Sequence, residues 1–126
     1  MADQPNERTY TVEEANAELE DLRPSLARIR EARRSILRTA TRIREWAPAN
    51  GGGEEGAEHW EAVRTLRQEI EGLSSRSIIL RDADTGLIDF PSRREGRQVY
   101  LCWRPDEDRV SHWHDLGSGF GGRMPL

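Results

Sequence analysis

Small and medium apolar residues recur through the first third of the chain at alternating spacings of three and four. They are Val12, Ala15, Leu19, Leu22, Leu26, Ile29, Ile36, Ala40 and Ile43, interrupted only where Arg33 takes a seam position. A stripe of that period commits the segment to a long helix packed against another helix. Its start is marked by Thr11 and Glu14, spaced for a capping box, with Tyr10 placed to staple the first turn. Pro24 lacks the N–H that would bond the carbonyl of Glu20. Because the heptad phase continues across it, the pattern predicts a kink near Arg23; a second helix opening at Pro24 is the alternative.

"APANGGGEEG" reads as the end of this helix and a flexible turn. A second helix is expected from about Glu55 to Arg76, with His59, Val63, Leu66, Ile70 and Leu73 on its seam and Trp60 beside it. So short a connection makes the two helices antiparallel neighbours. Two helices alone bury too little, so the hairpin needs the rest of the chain or a partner.

From Ser77 the period changes. "SIIL", "GLIDF", "RQVYLCWR" and "RVSHWH" are β-leaning runs separated by the turn signals "DADTG", "PSRREG" and "RPDED". They predict a meander of three or four antiparallel strands. In "VYLCW", Tyr100 and Cys102 point to one face and Val99, Leu101 and Trp103 to the other, both fairly apolar, as in a strand covered on two sides. The glycine-rich "GSGFGGRMPL" reads as an irregular arm. The expected architecture is α+β in one domain spanning 1–126: a flexible lead over 1–9, a long kinked helix hairpin over 11–76 with a loop at 48–54, then the meander and arm over 77–126.

Charged residues make up 33% of the 126, and the net charge of -4 argues against a nucleic-acid binder that relies on a basic field. The arginines between Arg28 and Arg44 are locally positive, but interspersed glutamates suit pairing on the helix surface. No apolar run approaches the roughly 20 residues needed to cross a bilayer, and "MADQPNERTYT" lacks the apolar core of a secretory signal. A cytoplasmic protein without a membrane partner is expected. Every basic residue is arginine, which excludes a Schiff-base or P-loop lysine. Cys102 is the only cysteine, so neither an intrachain disulfide nor a cysteine-rich zinc site can form. No G-x-S-x-G occurs, and the glycines of "GSGFGG" lack the strand–loop–helix order of a nucleotide fold.

Chemistry concentrates near the C-terminus. On a strand, His112 and His114 share a face, with Trp113 and Asp115 on the other. With Asp115 adjacent and Cys102 on a neighbouring strand, these residues form a candidate set for zinc or non-haem iron, which Glu14, Glu18 or His59 could complete. H-x-H alone is a weak signal, and satisfied structural histidines are the plainer reading. A second candidate is a polar, aromatic-walled cleft of Asn16, Asp89, Trp103, His114 and Arg123, suited to a small anion or ring. Its plainer reading is an Asp89–Arg123 clamp pinning the arm.

"YTVEEANAEL", "RDADTGLIDFPS", "GRQVYLCWR" and "WHDLGSGFGGRMP" together resemble the prokaryotic family called domain of unknown function 2203. The blocks stand in the family's order; its pattern more often has alanine at Gly121 and glutamine at Met124. The resemblance implies a small α+β protein and brings no catalytic assignment. The seam is longer than a small sheet can cover, which predicts a homodimer, through a four-helix arrangement. The leading functional expectation is a cytoplasmic interaction or regulatory module working as an oligomer. The rival is a small metal-dependent or ligand-binding protein, an enzyme or not, centred on the His-x-His-Asp segment.

Overall fold

The computed structural model describes residues 8–50 and 53–126. Thr11 caps the first helix: its hydroxyl accepts from the Glu14 N–H at 3.0 Å, and the Glu14 carboxylate accepts from the Thr11 N–H at 2.9 Å. Helix α1 spans Val12–Ala17 and α2 Leu19–Asn50; α3 spans Gly53–Ser75. Helix α2 runs on through Pro24, so no second helix opens there. Instead the ladder breaks at Glu18, where tighter bonds (Glu18 N–H to Ala15 O at 3.1 Å, Asp21 N–H to Glu18 O at 3.2 Å) join α1 to α2. Pro24 lies inside α2 on its exposed side, near solvent that can hydrate the carbonyl it leaves unpaired.

Both helices also reach into the stretch expected as a loop, α2 to Asn50 and α3 from Gly53, while 51–52 lie outside the described residues. The glycines there do not end α3 early, because an antiparallel neighbour stabilises helix that propensity alone would not.

Along α2 the buried line follows the heptads through Leu19, Leu22, Leu26 and Ile29, then moves to Ala32, Ser35 and Thr39. The reason is the neighbour. The first four residues pack against the sheet, whereas farther along α3 is the main neighbour and the inward direction rotates toward it. Arg33 is therefore off the seam and exposed, 3.9 Å from Asp84; Ile36 and Ala40 are half-buried, and the Ile43 side chain lies outside the described residues. Polar bonds stitch this outer hairpin: Ser25 and Arg28 donate to Glu69 at 2.7 Å, and Ser35 and Arg38 donate to Glu58 at 3.0 Å.

Strands β1 (Ile79–Asp82), β2 (Leu87–Arg94), β3 (Arg97–Trp103), β4 (His112–His114) and β5 (Met124–Pro125) form one antiparallel sheet in sequence order. The sheet has one strand more than expected because the arm is partly regular: after a 3-10 turn at Phe120–Gly122, β5 pairs with β4. "PSRREG" is likewise mostly strand. Only Glu95 and Gly96 turn, with φ of 54° and 81°, a two-residue hairpin whose positive φ values match the strand twist.

The helix-facing side of the sheet supplies Ile88, Phe90, Val99, Leu101, Trp103 and Trp113 to a core shared with Leu22, Leu26, Ile29 and Leu73. Each such full burial stabilises by about 1.5–3 kcal/mol. Tyr10 joins three elements there. Its ring meets Phe90 edge-on at 5.0 Å, its hydroxyl donates to the Arg76 carbonyl at 2.7 Å, and its N–H donates to Pro91 O at 2.7 Å. The lead expected to be flexible is thus held from Arg8, whose N–H donates to Ser77 at 3.0 Å; residues 1–7 lie outside the described residues.

Candidate functional site

Two regions of the molecule hold groups that folding alone does not demand. The first is the outer face of the sheet. Alternation places Asp89, Tyr100, Cys102, His112 and His114 there, opposite the core, and register sets Asp89 beside Cys102, Cys102 beside His112, and Tyr100 beside His114. His112 and His114 do share a face, with Trp113 turned into the core. Asp89, Cys102 and His114 are each 1% exposed. One ligand-type atom from each of the three lies within 4.8 Å of the others.

Each member is oriented by a neighbour. Arg81, on β1 next to β2, donates from Nε to the Asp89 Oδ2 at 2.7 Å, and that bond raises the guanidinium's already high pKa. His114 Nδ1 lies 2.7 Å from the carbonyl oxygen of Asp115, while Nε2 stands 3.1 Å from both Asp89 oxygens. Burial, and then the Asp89 charge, push the Cys102 thiol up to about 11. It is no nucleophile as it stands. Arg81, Leu87, Leu116 and Phe120 wall a cleft of about 250 Å³ that opens over Asp89 and His114.

The other expected site residues divide. Arg123 does pin the arm, but on Glu107 instead of Asp89, with contacts of 2.8 and 2.9 Å, and it donates to the Cys102 carbonyl at 3.2 Å. Strand order is the cause: Asp89 sits beside the β1 edge and Arg123 arrives at the β5 edge. Burial would raise the Glu107 carboxyl, but hydrogen bonds from Arg123 and the Arg104 N–H outweigh it and hold the group below its usual range. His112 lies 3.9 Å from the same Glu107, outside the Asp89 cluster.

The Asp115 carboxylate turns away to Arg97 at 2.7 Å, so Asp115 contributes only its carbonyl. Asn16 and Trp103 are on the helix side of the sheet. Asn16 accepts from the Val110 N–H at 2.8 Å, and the Trp103 Nε1–H donates to Glu107 O at 3.1 Å. None of Glu14, Glu18 and His59 approaches the cluster, being taken by the Thr11 cap, by Arg76, and by Thr39 at 2.9 Å. Sequence reasoning missed Arg81 and Glu107. Arg81 was legible only as a strand residue two from Ile79, and Glu107 only as part of a turn.

The second region is the outer half of the hairpin. Opposite a polar groove that includes Ser35, Arg38, Glu58 and Glu61, helical spacing places Ile36, Ala40, Val63 and Ile70 together. Beside them stand Leu37 and Trp60, exposed by 54% and 63%. This is the side of the hairpin that the sheet covers farther down, around Leu26 and Leu73.

These features define an α+β protein in which a long helix hairpin lies on one face of an antiparallel meander and a buried polar cluster occupies the other. The chain belongs to the family described as uncharacterized conserved protein (DUF2203), whose model matches residues 8–126. Neither curated proteins nor solved structures give a match. Among the described residues, no helix is long and apolar enough to cross a membrane.

Proposed function

We propose that the protein is a cytoplasmic interaction module that self-associates through the outer half of its hairpin. The observation that carries this reading is the apolar side of α2 and α3, where Leu37 (54%), Trp60 (63%) and Ile70 (39%) are exposed on a face continuous with the core. Large apolar side chains clustered on one face mark an interaction surface more often than scattered ones do. A second hairpin laid against this face supplies the two helices missing from a four-helix arrangement, and a two-fold axis makes the same patch serve both copies.

Light scattering at about 10–100 µM tests the reading, a range in which a standard-sized interface is occupied. Twice the monomer mass is expected, falling to one in a Leu37→Glu, Trp60→Glu double variant with unchanged helical circular dichroism. Both side chains are more than half exposed, so the folded monomer tolerates the change. A monomeric parent protein across that range overturns the proposal.

A further inference from the structure

We infer that Asp89, Cys102 and His114 form a mononuclear site for zinc or a zinc-like divalent transition ion on the outer face of the sheet. The argument begins with one imidazole. His114 Nδ1 lies 2.7 Å from a backbone carbonyl, which can only accept, so Nδ1 carries the ring hydrogen. In a neutral ring Nε2 then presents a lone pair, and it faces two carboxylate oxygens at 3.1 Å. Arg81 serves Oδ2 from the β1 side, but no hydrogen points from the neutral ring toward the carboxylate, so the space between Nε2 and the two oxygens suits a metal ion.

An imidazolium would satisfy the count of hydrogens, but the geometry suits it poorly. Charge-assisted N–H···O bonds run to about 2.7–2.9 Å. Here the short bond to the carboxylate, 2.7 Å, belongs to Arg81, and Nε2 is held at 3.1 Å from each oxygen alike.

The third donor is a sulfur. Cys102 sits beside Asp89 in register, and the three donor atoms lie within 4.8 Å of one another. Donors on a tetrahedral zinc stand about 3.5 Å apart at ordinary bond lengths, so closure needs only small side-chain rotations. A nitrogen, an oxygen and a sulfur together suit zinc or cobalt(II) and disfavour magnesium and calcium, which take oxygen ligands. On binding, the thiol proton leaves to solvent, and the two anionic donors, Asp89 and the Cys102 thiolate, neutralise a divalent ion.

The supports around the donors are those a metal site uses. The histidine's distal N–H is fixed on the Asp115 carbonyl, and the carboxylate is fixed by Arg81. Three protein ligands leave a fourth position, and the cleft over Asp89 and His114 lets water or a small oxygen ligand reach it.

The single cysteine makes the test direct. Untagged full-length protein is stripped with a chelator, shown to remain folded, and titrated with cobalt(II). One equivalent is expected to raise a near-ultraviolet sulfur-to-cobalt charge-transfer band, which can come only from Cys102. Zinc should abolish that band at one equivalent. His112→Ala should retain the band and Cys102→Ser should lose it. His114→Ala should weaken binding at least about 10-fold, the low end of what even an outer-shell loss costs. A folded parent protein that shows no such band with millimolar cobalt overturns the assignment, whether or not any variant folds. Binding that survives in His114→Ala but is lost in His112→Ala overturns it too.

Discussion

Replacing Gly86 by alanine should cost far more stability than the same change at Gly96, although both glycines are in hairpin turns at nearly equal positive φ, 79° and 81°. The shared part is the left-handed backbone, which costs an L-residue about 1–2 kcal/mol. Alanine also restricts the unfolded chain, an opposing effect of about 0.4–1 kcal/mol that is the same at both sites. The two sites differ in their surroundings. A Cβ on Gly86 would stand 2.9 Å from Cδ and Cγ of Pro105 and 3.6 Å from the Leu26 Cβ, whereas one on Gly96 meets nothing within 4 Å. Pro105 is a ring and cannot rotate away, so overpacking adds about 1–3 kcal/mol at Gly86 alone. Urea unfolding followed by tryptophan fluorescence should therefore separate the variants by about 1–3 kcal/mol, with unchanged m-values. If the two lose the same stability to within about 0.5 kcal/mol, the turn does not pack against Pro105 and α2 as described, and the reasoning fails.

Tyr10→Phe should cost about 1 kcal/mol in the same assay, because it removes the hydroxyl that serves the Arg76 carbonyl while leaving the ring on Phe90; no loss would mean the hydrogen bond is not formed. Acid should weaken the hairpin. Hydrogen bonds from Arg28 and then Ser25 hold the Glu69 carboxyl below its usual range, against the opposing effect of burial. Its folded pKa is thus depressed, and the stability it contributes is present above the unfolded value, about 4.3. That contribution is lost as pH falls through the folded value. The urea midpoint of Glu69→Gln should accordingly fall less than the parent's between neutral pH and pH ~3; parallel curves would refute the linkage.

The patterns that depend only on neighbours in the chain were legible. Thr11 and Glu14 form the capping box because the side chains involved are one helical turn apart, with no outside help. The alternation of "VYLCW" and "HWH" told which side chains share a face, though not which face is the core, since a strand's period of two holds whatever lies beside it. The α+β order followed from the change of period near Ser77. The pairings across elements were not legible. Asp89 takes Arg81 and His114 and leaves Arg123 to Glu107, because a meander in sequence order puts β1 and β5 on opposite edges. Trp103 falls on the core face by the alternation itself, opposite Cys102, and Asn16 lies on the helix side because α1 carries it to Val110. Arg33 left the seam where the core turns from the sheet toward α3, a change that no heptad count registers. Composition and period alone determined a capped helix, its antiparallel partner and a run of strands with known faces. Which acid meets which base, and that an imidazole, a carboxylate and the single thiol converge in a buried place, was decided by strand order and register. Those are set by the packing of the whole chain and not by any stretch of it.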